Sequence, residues 1–312
     1  MMIIRNFKNK DIESIHAIYQ EQFHDFPISK SSFIQQHIND INFDENLFYI
    51  AEEEGRIIGF LFGIIRKIPY QNRGLEEDKA WIKLMAVTTE FQNKGIGSEL
   101  LRVFEENVQG RNIILAFYSP NYFFSGVQEN HKNAIEFFKH HGYECGEESY
   151  WMERDLSNYE FPDEVKIKKI QLEKEGFSFI GYSEKYCYLL LKMIKENFSL
   201  SWANYVVDAI KQNRAEESII LCLHKNEVVG YVSRASIDYD ESRFGPFGVA
   251  ETYRDHKLGE VLIHCMFESM VNKEIYRVFF KSTEENGKRF YLRQKMEVKM
   301  IFYHMAKENL LD

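Results

Sequence analysis

The residues of this chain whose order most directly implies chemistry run from Ile82 to Leu101: Ile-Lys-Leu-Met-Ala-Val-Thr-Thr-Glu-Phe-Gln-Asn-Lys-Gly-Ile-Gly-Ser-Glu-Leu-Leu. The apolar stretch through Leu84, Met85, Ala86 and Val87 reads as a strand. A turn follows at Gln92, Asn93, Lys94, Gly95, Ile96 and Gly97. From Ser98 onward Leu100, Leu101, Phe104 and Val108 recur at helical spacing on one face. A strand that runs into a glycine-containing turn and opens a helix aims several unpaired backbone N–H groups at one spot. The helix dipole adds partial positive charge there. An anion, most naturally a phosphate, fits this arrangement. Gly95 and Gly97 let the backbone approach it closely, and Lys94 adds a cation. The run is neither the dinucleotide fingerprint, which needs GxGxxG after a first strand, nor a P-loop, since no Gly-Lys-Ser/Thr follows.

The elements that must hold this turn can be read on either side of it. Strands are expected at Ile3 to Phe7, Phe48 to Glu52, Arg56 to Arg66, Lys79 to Val87, Arg111 to Phe117 and Tyr150 to Leu156. Helices are expected from Ile12, over Ser31 to Ile38, Gly95 to Val108 and Asn133 to His141. The second half partly repeats this order. It has strands at Val165 to Ile170, Ile219 to His224, Val228 to Ala235, Phe244 to Val249, Tyr276 to Phe280 and Val298 to Met305. Its helices are Glu184 to Asn197, Trp202 to Gln212, Leu258 to Val271 and Glu284 to Gln294. The repeat has a period of about 160 residues, which is a duplicated domain rather than a solenoid. The corresponding spacings are 41 residues from Gly97 to Phe138 and 32 from Gly259 to Tyr291. The longer first half has an aromatic insertion at 118–128. The polar stretch Ser157 to Glu164 divides the chain into domains 1–157 and 163–312.

The segment from Val87 to Leu101 resembles the coenzyme A loop of the GNAT N-acetyltransferase superfamily: Gln or Arg, two residues, Gly, one residue, then Gly or Ala. Gln92, Gly95 and Gly97 match, and Val87 and Leu100-Leu101 fall where the family has them. Asn133 to Tyr143 resembles the family's later helix and the Gly-Phe pair that closes it. In the second half Arg254 and Gly259 match the loop, but Lys257 stands where the first glycine should be. Tandem family members pair Tyr-Phe-Phe-x-Gly-Val in the first half with Gly-Pro-Phe-Gly-Val in the second. Tyr122 to Val127 and Gly245 to Val249 match that pairing. The resemblance implies an α/β fold with mixed (α+β) sheets and two tandem GNAT-like domains, the second more divergent and degenerate at its loop.

It also implies the chemistry. An amine attacks the thioester of acetyl-CoA directly, without a metal or a covalent enzyme intermediate, and the rate comes mostly from holding the two together. Cofactor-binding residues would be Leu84, Met85, Ala86, Val87, Gln92, Asn93, Lys94, Gly95, Ile96, Gly97 and Ser98. The Val87 N–H would polarise the thioester oxygen. The family's usual acid is a Tyr on the later helix. In the first half that position is Phe138, and in the second it is Tyr291. Either Tyr118 or Tyr122 supplies the hydroxyl, or the thiolate leaves unassisted, or Tyr291 marks a second site. His131 could titrate near neutral pH as a base. Glu52, Glu53, Glu76, Glu77 and Asp78 are further base candidates.

The bulk composition sets limits. Lys plus Arg less Asp plus Glu is 39 − 48 = −9. That argues against a nucleic-acid partner, which needs clustered cations, and modestly favours cationic amines. The four cysteines, Cys145, Cys187, Cys222 and Cys265, lack metal spacing and suit a reducing compartment. No apolar run approaches about 18 residues and the N-terminus does not read as a signal peptide, so a cytoplasmic protein without a membrane partner is expected. The expected function is acetyl transfer to a primary amine of a small molecule or peptide. The alternative is a non-catalytic acyl-CoA-binding, sensor or assembly module. The oligomeric state is open.

Overall fold

A computed structural model describes residues 2–119, 123–237 and 240–308. The chain forms two compact units. One takes Met1–Ser149 together with Ile301–Asp312, and the other takes Tyr150–Met300. These are not the linear halves 1–157 and 163–312. The last strand leaves the second half and joins the first unit, because a strand is stabilised by the edge it pairs with rather than by its place in sequence.

In the first unit β1 (Met2–Asn6), β2 (Phe48–Glu53), β3 (Arg56–Ile64) and β4 (Lys79–Val87) form an antiparallel run. β5 (Asn112–Leu115) adds to β4 in parallel, from Lys79↔Asn112 to Ile82↔Leu115. The short β6 is Val127–Gln128. The last strand of the chain, β13, is Glu297–Lys307, and its residues 301–307 pair with β5 and β6. The helices are α1 (Ile12–Gln22), α2 (Lys30–Phe33, continuing as a π-turn through Ile34–Ile38), α3 (Ile96–Asn107) and α4 (Lys132–His140). Leu100, Leu101 and Phe104 of α3 pack on Leu61 and Ile82, as the helical spacing predicts. Gly63 is required on β3 because a Cβ there would fall inside the Phe104 ring.

β7 (Glu144–Asp155) has residues in both units. In the second unit the elements are α5 (Asp163–Lys174), β8 (Phe177–Gly181), α6 (Cys187–Asn197), α7 (Leu200–Lys211), α8 (Ala215–Ser218), β9 (Ile219–His224), β10 (Glu227–Arg234), β11 (Phe244–Val249), α9 (Leu258–Val271), β12 (Arg277–Phe280) and α10 (Glu285–Arg293). Strands β8 to β11 make an antiparallel sheet in the order β11-β10-β9-β8. The expected strand at Val165 to Ile170 is instead part of α5. Pro162 precedes it, Asp163 and Glu164 fill its first turn, and Val165 and Leu172, seven residues apart, are its buried face. The strand of that region is β8.

Candidate functional site

The site grows from the point where β4 and β5 part. After the Ile82↔Leu115 pair one more bond forms, from the Ala116 N–H to the Ile82 carbonyl at 2.8 Å. Ala116 and Phe117 then take φ values of 55° and 47°, which turn the chain away while β4 continues to Val87. A bulge leaves Lys83 as an extra residue on β4 opposite the Phe62/Gly63 step. On the β3 side the Thr88 N–H bonds the Ile58 carbonyl at 2.9 Å. Antiparallel pairing alternates, so Val87 and Met85 direct their backbone N–H and C=O groups to the opposite edge, where β5 has left.

The gap is a cavity of about 720 Å³. Its walls are the β4 edge from Ile82 to Val87, the turn before α3, the start of α4 from His131 to Ala134, and the rings of Phe23, Phe124, Phe137, Phe138 and Phe302. In the turn, the Gln92 side-chain amide donates to the Val87 carbonyl at 3.1 Å and to Gln22 Oε1 at 2.8 Å. Gly95 has φ 81°, and a Cβ on it would meet nothing within 4 Å, so open space lies in front of the α3 N-terminus. A Cβ on Gly97 would stand 3.3 Å from the Phe137 ring and 3.4 Å from Met85 Cε. Glycine there lets α3 lie close against α4 and β4.

Of the residues read from sequence as cofactor contacts, Leu84, Met85, Ala86, Val87, Gln92, Asn93, Gly95, Gly97 and Ser98 all line this cavity. Lys94 and Ile96 are not in its lining. The Lys94 ammonium lies 4.7 Å above the Phe91 ring, and Ile96 turns into the core.

The proposed proton-transfer groups are scattered. His131 lines the cavity, half-buried, with its ring 6.2 Å from that of Phe23. Burial lowers its pKa below 6.5, opposed by Asp25, so the imidazole is neutral at pH 7. Tyr118 is outside the lining. It is buried against Trp81, and its hydroxyl accepts a hydrogen bond from Asn42 Nδ2 at 2.7 Å. Burial pushes its pKa up to about 12. Tyr122 lies outside the described residues. Tyr291 belongs to the second unit, packed on Phe280 and Phe290 with ring centroids 4.5 and 5.2 Å away, and burial raises its pKa. None of Glu52, Glu53, Glu76, Glu77 and Asp78 lines the cavity. Glu52 pairs with Arg5, and Glu76 with Arg66 and Lys79.

Among the described lining residues the ionisable side chains are those of Lys83, His131 and Lys132, with no carboxylate. The Lys83 ammonium is turned inward, donating to Asp40 Oδ2 at 3.0 Å and to the Gln36 carbonyl at 3.1 Å. Sequence reading missed Lys83, Phe23 and Phe302 as lining residues. Nothing local marks Phe302, which the last strand brings in by pairing with Gln128.

The second unit repeats the turn with different contents. The Arg254 Nε–H donates to the Val249 carbonyl at 3.4 Å, as Gln92 does to Val87. Lys257 takes φ 58°, where Gly95 has 81°. A Cβ on Gly259 would meet the rings of Phe247 at 3.1 Å and Phe290 at 3.6 Å. Phe247 thus stands in the place of Met85 and Phe290 in that of Phe137. The two rings stack at 5.7 Å, with Phe244, Phe280 and Tyr291 around them.

A model of the acetyltransferase (GNAT) family matches residues 12–143 and again residues 187–296. The chain belongs to the GNAT acetyltransferase family. An uncharacterized N-acetyltransferase of Methanocaldococcus jannaschii is 27 % identical over 143 residues, which is 46 % of this chain and 78 % of that protein. The fold of this GNAT chain is similar to two solved structures. The glucosamine N-acetyltransferase region of a fungal multi-domain β-N-acetylglucosaminidase gives a TM-score of 0.79 at 18 % identity, over 98 % of this chain. The chain spans 38 % of that longer protein. A tandem GNAT protein from the clavulanic acid biosynthesis pathway gives 0.64 at 13 % identity, over 100 % of both chains. Two GNAT matches and a tandem neighbour agree with the mixed α/β, two-domain fold expected from sequence. GNAT proteins carry out acetyl transfer, and no helix among the described residues is long and apolar enough to cross a membrane.

Proposed function

We propose that the first unit transfers an acetyl group from acetyl-CoA to a primary amine of a small molecule or peptide, and that the second unit holds no second cofactor. The carrying observation is the open β4 edge beside a helix N-terminus fronted by Gly95 and Gly97. The backbone of Leu84 to Val87 suits the amides of a pantetheine arm, and the N–H groups at the start of α3 suit a pyrophosphate. Acetyl-CoA supplies the acetyl group as a thioester.

In this reading the Val87 N–H donates to the thioester oxygen, and neutral His131 takes the proton that the amine must lose. The new C–N bond forms as the C–S bond breaks with its electron pair going to sulfur. Phe138, which lines the cavity, has no proton to give, so the proton held on His131 is the one at hand to neutralise the thiolate. The aromatic cluster around Gly259 occupies the corresponding place in the second unit.

A second reading, an acyl-CoA-binding module without turnover, is favoured by Phe138. Titration calorimetry with acetyl-CoA, joined to a thiol-release assay over an amine panel, tests both. One molecule bound per chain, lost in Gly95→Asp, with thiol release on some amine, supports the enzyme. Tight binding with no release on any amine supports the module. Undiminished binding in Gly95→Asp sinks the site assignment.

A further inference from the structure

The lining of the cavity bears on what the acceptor amine is. The expectation from net charge was a cationic acceptor. The lining has a different character: Lys83 is turned inward onto Asp40, which leaves Lys132 and a neutral histidine, and no carboxylate is among the described lining residues, Asp25 lying outside the lining beside Asn130. A second ammonium on the acceptor would find no carboxylate within the lining itself to pair with, which is costly in a partly desolvated site. The lining beside His131 is aromatic instead. Phe23 lies 6.2 Å from the His131 ring and stacks on Phe124 at 5.4 Å. Phe302 backs Phe124 at 6.2 Å. A proton acceptor must sit within hydrogen-bond reach of the nitrogen it serves. A group attached next to that nitrogen therefore meets Phe23 and Phe124. Phenylalanine rings bury apolar and aromatic groups well and offer no hydrogen bond to a polar one.

We infer that the acceptor is a primary amine with an apolar, preferably aromatic group beside the nitrogen and no second cation, and that Phe23 and Phe124 select it. This rests on the cavity and on His131 as assigned above. The shared chemistry can come from a free arylalkylamine or from the N-terminus of a peptide that begins with an apolar residue.

The test does not depend on turnover. Protein loaded with coenzyme A, which has no acetyl group to give, is titrated with phenethylamine, the tripeptide Phe-Gly-Gly and spermidine. Phenethylamine or Phe-Gly-Gly should bind at least about tenfold tighter than spermidine, on the scale of one buried aromatic contact. Whichever of the two binds tighter identifies the source. Phe23→Ala, at a partly exposed helix end, should lose about tenfold for that ligand while Phe23→Leu stays within about threefold, since only the alanine removes the apolar area. Tighter binding of spermidine, or equal affinities in Phe23→Ala and wild type, overturns the inference. With acetyl-CoA in the same samples, aryl-amine binding without transfer sinks the enzyme reading but not this one. Preferential transfer to spermidine does the reverse.

Discussion

The side-chain amide of Gln92 holds the carbonyl of Val87 at 3.1 Å, tying the end of β4 to the turn that opens α3. Arg254 and Val249 make the same contact in the second unit at 3.4 Å. The bond fixes where β4 ends relative to the helix N-terminus, and so, in the proposed complex with acetyl-CoA, the spacing between the thioester and the pyrophosphate. Gln92→Ala should cost about 1 kcal/mol of stability, a typical net hydrogen bond. Acetyl-CoA affinity should fall by about tenfold. Urea unfolding and calorimetry on the same variant separate the two effects, and an unchanged affinity would remove Gln92 from the site.

As the proposed base, His131 should set the pH dependence. Burial holds its pKa below 6.5, so the neutral, proton-accepting form dominates at pH 7. kcat/KM should therefore rise with pH along a limb below pH 6.5 and level off above it. His131→Ala should lower kcat by about 100-fold, the low end for a lost general base. It should also abolish the acid limb. A variant that is slow but keeps the limb assigns the titration to another group.

The Lys83–Asp40 pair is a matter of stability. The two side chains are 2 % and 1 % exposed, 3.0 Å apart. Asp40→Asn strands the ammonium in the interior and should destabilise the protein by about 3–5 kcal/mol. Replacing both, as Lys83→Met with Asp40→Leu, should recover most of that loss. Equilibrium denaturation of the two variants checks it, and similar losses in both would show that the charge is not the cause.

Lys257 tests the second unit. Its backbone already adopts the left-handed conformation of Gly95, so Lys257→Gly should fold normally. Calorimetry should still give one acetyl-CoA per chain, because Phe247 and Phe290 fill the space around Gly259. A second equivalent in this variant would make the lysine, and not the rings, the block.

The sequence by itself determined the turn. The apolar stretch up to Val87, the glycines at 95 and 97 and the helical spacing of Leu100, Leu101 and Phe104 are local signals, and each acts within a few residues of its neighbours. For the same reason the repeat was visible in the order of elements, and nine of the eleven expected cofactor contacts line one cavity. Periodicity failed where local patterns are ambiguous: Val165 to Ile170 is too short to tell a strand from a helical turn, and packing of Val165 and Leu172 decided for α5. Tertiary structure alone placed Tyr118 away from the cavity against Asn42, stacked Phe247 on Phe290 beside Gly259, and carried Phe302 from the far end of the chain into the first unit. Those outcomes depend on which sheet edge is left open and which rings fit beside it. Such edges and neighbours are set by contacts between residues far apart in sequence, 43 positions for Phe247 and Phe290, 76 for Asn42 and Tyr118 and 174 for Gln128 and Phe302, and no short-range pattern records them.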